Sequence, residues 1–350
     1  MRIAGVLKYF AGFTIPLCAF LALYFQGIWV FVTPFYAFLF LSALEMMLPL
    51  NKKNLSEMEE SIAKKDPLYD FVLYLNVPVQ YGIVIYFLFL VNQQLLTGWE
   101  TAGIILSTGI CCGVIGINVA HELGHRKNPL ERIMAKSLLL TSLYMHFIIE
   151  HNKGHHKMVS TQNDPSSARL NEPIYLFYFR TIFGTYFSAW KIQKRELREQ
   201  KKHFFSKQNE MLIFLILQIS VLILISFIFS LQTMLFFLIA AVIGILLLES
   251  VNYIEHYGLR RNITVSGNYE RVQPWHSWNS DHMIGRLVLY ELTRHSDHHY
   301  MTSRKYQILR HLDEAPQLPA GYPAMILLSL FPPLFFRIMN RRVKKVSLSH

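Results

Sequence analysis

Six uninterrupted apolar runs dominate this 350-residue chain and leave it few folds to choose from. Crossing a hydrocarbon core of roughly 30 Å takes about 20 consecutive apolar residues in a helix, and a helix satisfies its own backbone hydrogen bonds where lipid cannot. The runs lie at about 9–30, 31–48, 71–91, 101–120, 211–229 and 231–248. Hydrophobic residues make up 52% of the chain and charged ones only 16%, well below the share of a soluble domain. The expectation is an all-α, polytopic membrane protein with six transmembrane helices, in a single domain covering 1–350.

Charge placement orients it. Lys and Arg number 2 before the first run, 4 in 51–69, 15 in 121–210 and 13 after the sixth run, the full complement of 34. The three connectors on the other side carry none. Under the positive-inside rule both termini and every large loop face the cytoplasm, of a bacterial inner membrane in this reading. The net charge of +11 then faces lipid headgroups or a protein partner, because no nucleic-acid motif accompanies it. Arg2 and Lys8 precede an apolar run too long for a secretory leader, and no A-x-A site follows. Cys18, Cys111 and Cys112 all fall inside the runs without a C-x-x-C pattern, which argues for packing rather than disulfides or metal.

Residues 133–149 form a seventh apolar stretch, yet it is short, contains Lys136 and is bracketed by Arg132 and Lys153. A crossing there would also carry the histidines of 151–156 about 30 Å from those at 121 and 125. It is expected to be a buried or interfacial helix. The same holds for 175–197, where aromatic and basic residues alternate as at a headgroup boundary.

Nine of the fifteen histidines occupy four short motifs: "HELGH" (His121, His125), "EHNKGHH" (His151, His155, His156), "NYIEHYG" (His256) and "RHSDHH" (His295, His298, His299). The topology opens all four at one membrane face. His121 and His125, at i and i+4, project from one side of a helix and can chelate one ion. Adjacent helical residues point about 100° apart, so the doublets His155/His156 and His298/His299 can serve different ions. Nine imidazoles exceed what one ion accepts; two ions with four or five nitrogens each fit the count. Neutral imidazole suits zinc, copper, nickel and iron alike, although structural zinc commonly wants four ligands including cysteine. Glu122, Glu150, Asp164, Glu255, Asp281 and Asp297 stand close enough in sequence to hold the other ring nitrogens of the ligands. His146, His203, His276, His282, His311 and His350 lack the spacing, though His276 and His282 in "WHSWNSDH" could line the site.

Around these motifs the chain resembles the integral-membrane alkane monooxygenases, relatives of the membrane fatty-acyl desaturases and hydroxylases. The likeness covers most of the chain and is strongest in "HELGHRKNPLERIMAK", "FIIEHNKGHHKMVSTQNDPSSAR", "ESVNYIEHYGLRR" and the stretch from His276 to Tyr322. "NYIEHYG" is the element that separates alkane-type hydroxylases from general desaturases. The resemblance implies two non-haem iron ions held by His121, His125, His151, His155, His156, His256, His295, His298 and His299. It also implies O2 as co-substrate, and terminal hydroxylation of n-alkanes with electrons from rubredoxin, itself served by a rubredoxin reductase. One departure is visible: the family commonly has Lys after the second histidine, and here Arg126 stands there with Lys127 following.

The residues support part of this independently. A hydrocarbon offers only apolar burial, worth roughly 0.8 kcal/mol per CH2, so an apolar channel between the spans should end below the metals. The chain shows no Rossmann glycine fingerprint, rubredoxin-type C-x-x-C or haem motif, so a separate donor must dock. Arg195, Arg198, Lys201 and Lys202 are candidates to receive it, or to meet anionic lipid. The nearest rivals are an acyl desaturase or hydroxylase and a methyl-arene (xylene-type) monooxygenase. A metal-binding membrane transporter is the rival from another class, disfavoured because the histidines gather beyond the membrane ends. Glu45 is the main carboxylate inside a span, and such a group more often caps or pairs than conducts ions.

Overall fold

The computed structural model describes residues 2–349, is helical with no strand among them, and has six helices long and apolar enough to cross a bilayer: Gly5–Phe25, Gly27–Met47, Pro67–Asn92, Gly98–Gly124, Glu210–Ile228 and Leu231–His256. The first two break at 26 rather than at 30. Gln26 and Gly27 both take positive φ, 51° and 47°, which no helix continues through. The fourth starts on a cap in which the Thr97 hydroxyl and N–H both donate to the Glu100 carboxylate, at 2.6 and 2.9 Å. It and the sixth run past the apolar stretch on to the histidines, since nothing in "NVAHELG" or "ESVNYIEH" stops a helix.

Connectors at one face are short: Gly27 N–H donates to Glu100 there, at 3.0 Å, and Gln94 reaches Gln232. The large loops and the ends of the described residues lie at the other. Tyr9 at the start of the first crossing donates to Glu291, and Lys136 pairs with Glu210 at the start of the fifth. The alternation therefore holds for all six spans.

The fourth crossing is the axis of the bundle, with 83% of its most apolar window buried against 17% for the fifth. The fifth is thus mainly a lipid-facing helix, whereas the fourth can position chemistry. Its contact with the sixth depends on two glycines: a Cβ at Gly109 would lie 2.6 Å from Ile243, and one at Gly244 would lie 2.6 Å from Cys112 Cβ. Gly244→Leu is accordingly expected to destabilise the protein by about 1–3 kcal/mol through overpacking, read as a lower melting temperature in detergent.

The stretch 133–149 does not cross. Its helix, Pro129–Leu140, ends in turns at 141–146, where Leu143 has a φ of 53°. The helix Ile174–Glu199 buries Phe177, Thr181, Thr185 and Ala189 and leaves Phe179, Phe183 and Phe187 exposed, an amphipathic arrangement suited to the membrane boundary.

Candidate metal centre

Four elements deliver the nine histidines to one place. His121 and His125 close the fourth crossing, His256 closes the sixth, His151–His156 lie on a helix that begins at Phe147, and His295–Tyr300 is a six-residue helix of its own. The rings sort into two groups, His121, His125, His151, His156 and His298 in one and His155, His256, His295 and His299 in the other, with the ligand atoms of each group within 4.8 Å of one another. Both doublets are split between the groups.

A π-helical turn at His151–His155 decides the sorting. In an α-helix His151 would align with His155. In the wider turn it meets His156 instead, Nε2 to Nε2 at 2.9 Å. His295 keeps ordinary i, i+4 geometry and meets His299 at 2.9 Å, while His298 turns to His121 at 3.0 Å and His156 at 3.2 Å. His125 lies 3.1 Å from His151, and His256 lies 3.1 Å from His295.

These spacings fit a cation. Ring nitrogens bound to an ion at about 2.1 Å and at right angles to each other are about 3 Å apart. Burial, followed by neighbouring imidazoles, holds His125, His151, His156, His295 and His299 well below the usual imidazole range. It brings His298 down to about 3, with His155 adding to the effect. Neutral rings are the form a metal requires. At His155 burial again opposes the charge, but the Asp164 carboxylate, with Glu150 and Glu249, outweighs it and raises the pKa.

The six carboxylates separate in their roles. Asp164 Oδ2 lies 2.9 Å from His155 Nδ1 and accepts from the Ser167 hydroxyl, while Oδ1 accepts from Ser166 N–H. Glu255 turns inward: Oε2 is 3.2 Å from His295 Nε2, on the ligand side of the ring, and Oε1 accepts from the Tyr322 hydroxyl at 2.7 Å. Glu150 accepts from Ser188 beneath the π turn, where burial and then Asp164 push it up to about 8. The other three face elsewhere. Glu122 takes Arg126 and Tyr306 N–H, Asp297 takes Arg304 and Arg310 N–H, and Asp281 takes His311. His146, His203, His276 and His282 join neither group, and His350 lies outside the described residues.

One cavity touches the histidines, and a second stops short of them, at Asn118, one turn before His121, and at Tyr322, whose hydroxyl holds Glu255. A cleft of about 430 Å³ reaches His125 and His156 from the surface between Arg126, Lys127, Arg132 and Lys153. Inside the bundle a narrow apolar cavity of about 70 Å³ runs from Ile110 and Val114 past Leu247 and Val251 to Leu289 and Tyr322. Arg195, Arg198, Lys201 and Lys202 line neither; they are exposed at the end of Ile174–Glu199, which Glu196 ties to Lys153 at the cleft rim at 2.7 Å. Tyr322 and the cleft leave no mark in the sequence, because a tyrosine in "PAGYP" and scattered basic residues carry no spacing signal.

Known proteins resemble this chain over most of its length. The fatty acid desaturase family matches residues 97–329, which contain all nine histidines. An alkane 1-monooxygenase of Acinetobacter baylyi is 41% identical over 80% of this chain and 68% of its own. An alkane 1-monooxygenase of Alcanivorax borkumensis is 40% identical over 82% and 72%. More distantly, the hydroxylase component of a Pseudomonas putida xylene/toluene monooxygenase is 28% identical over 96% and 88%. The chain is an integral-membrane protein that belongs to the fatty acid desaturase family and, within it, to the alkane 1-monooxygenases.

Proposed function

We propose that the protein hydroxylates the terminal methyl of n-alkanes, converting a C–H bond and O2, with two electrons and two protons, into a primary alcohol and water. The observation that carries this reading is the convergence of nine histidine nitrogens in groups of five and four, with an apolar cavity inside the bundle whose Tyr322 holds Glu255 beside His295. Two iron ions are the proposed occupants, held by His121, His125, His151, His156 and His298 in one group and His155, His256, His295 and His299 in the other. When bound, they supply the redox chemistry that activates O2.

The remaining work belongs to the protein's own residues. Asp164 fixes the tautomer and orientation of His155. Glu255 adds a carboxylate oxygen beside the four-histidine group, oriented by Tyr322. The apolar cavity binds the alkyl chain by burial alone and excludes water from the reacting end. By the positive-inside rule the histidine face is cytoplasmic, in a bacterial inner membrane.

Electrons are proposed to come from a rubredoxin-type protein, served by a rubredoxin reductase. The cleft bordered by Arg126, Lys127, Arg132 and Lys153 is the best-supported entry, because His125 and His156 are the partly exposed members of the five-histidine group. The cluster Arg195, Arg198, Lys201 and Lys202 adjoins it and steers an acidic partner from a distance. Turnover limited by reduced rubredoxin should fall as ionic strength rises from about 0.01 to 0.15 M, where the Debye length shrinks from about 30 to 8 Å. Lys153→Glu should flatten that slope, and a rate indifferent to salt would count against docking here.

The assay that tests the function combines iron analysis of purified protein with O2-dependent conversion of an alkane series, p-xylene and an acyl thioester. Terminal alcohols from alkanes support the reading. Conversion of the arene or thioester alone transfers the chain to one of its rivals.

A further inference from the structure

Glu45 is a buried carboxylate on the second crossing that the chemistry above leaves unused. Its Oε1 accepts the Gly285 N–H at 2.7 Å, while Oε2 has no hydrogen-bond partner among the described residues. Two glycines make room for it. A Cβ at Gly285 would lie 2.6 Å from Oε1, and one at Gly321 would lie 1.8 Å from Oε2. Gly321 has φ −68° and ψ 166°, open to any residue, so the backbone does not demand glycine there. A Cβ there would have to displace the carboxylate.

Both glycines lie at or beside the wall of the apolar cavity. Gly285 leads into Val288 and Leu289, and Gly321 precedes Tyr322, whose hydroxyl holds Glu255 beside His295; all four line the cavity or reach the four-histidine group. Leu41, one turn before Glu45, lines the same cavity from the second crossing. One side chain therefore joins three walls of the cavity proposed to hold the alkyl chain.

Resting on the function proposed above, we infer that Glu45 is a positioning residue that sets which carbon of the bound chain is presented, by clamping the second crossing to the Gly285 and Gly321 segments. The test uses membranes containing the full chain and a straight-chain alkane, with the ratio of terminal to subterminal alcohol, KM, kcat and iron per chain as readouts. Glu45→Ala should raise the subterminal share about tenfold and raise KM more than it lowers kcat, since a displacement of about 1 Å can cost 10²-fold in productive geometry. Iron content should stay unchanged. Glu45→Gln, which keeps an oxygen for Gly285, should remain within about twofold of wild type. Gly321→Ala should reproduce the shift by itself yet add nothing in the Glu45→Ala background, because the two act through one contact. The same non-additivity is expected in melting temperature, a readout that needs no turnover. An unchanged product ratio in Glu45→Ala, or additive effects in the double variant, overturns the clamp alone. A wild type that forms no alcohol overturns the clamp and the proposed function together.

Discussion

His295→Ala is expected to leave about one iron per chain in place of two and to reduce alkane hydroxylation by more than about 100-fold. The four-histidine group has the smaller margin. His295 Nε2 touches His256 at 3.1 Å and His299 at 2.9 Å, so its removal breaks the group in the middle. Losing only a hydrogen-bond partner of a ligand typically costs 10–100-fold in affinity or activity, and losing the ligand itself should cost more. His125→Ala makes the informative contrast. It belongs to the five-histidine group and is partly exposed at the cleft, so four nitrogens remain and iron content should fall less. Metal analysis of the two variants separates the groups without reference to turnover. Equal iron in wild type and His295→Ala would mean that the four-histidine group is not a metal site.

Val114→Trp is expected to shorten the alkanes accepted, with Ile110→Trp doing the same to a smaller extent. Both residues line the apolar cavity, Val114 about 10 Å and Ile110 about 16 Å along the helix from His121 at 1.5 Å per residue. An indole at 114 closes the cavity nearer the histidines and leaves less depth for the tail. Denying burial to only two methylenes, at roughly 0.8 kcal/mol each, lowers kcat/KM for a long chain by more than about tenfold. Short chains should be spared. Competition between short and long alkanes, followed by product analysis with iron content as a control for folding, checks it. Loss of activity on every chain length alike, with iron intact, would show that the cavity is not the binding path.

The crossings were legible because hydropathy and length are local properties. Five of the six begin or end within a few residues of the apolar limits, and the exception has a local cause in the left-handed Gln26 and Gly27. The histidine set was legible for the same reason, since spacing within a motif survives folding. Its partition was not. The i, i+4 rule pairs His151 with His155, whereas the π turn pairs His151 with His156. Nor did adjacency in sequence say which carboxylates would matter. Asp164, eight residues from the nearest histidine motif, holds His155, while Asp297, inside "HSDHH", turns away to Arg304 and Arg310.

What the sequence determined by itself was the number of membrane crossings, their alternation and the supply of imidazoles at one face, because these follow from how long each apolar run is and from where the charges fall. Only the tertiary structure decided how the imidazoles divide five and four, that Glu255 rather than Glu122 looks toward them, and that Glu45 fits between two glycines from distant parts of the chain. Those outcomes depend on helix register and on which backbones approach within a few ångströms, and such distances are set by packing between segments remote in the chain.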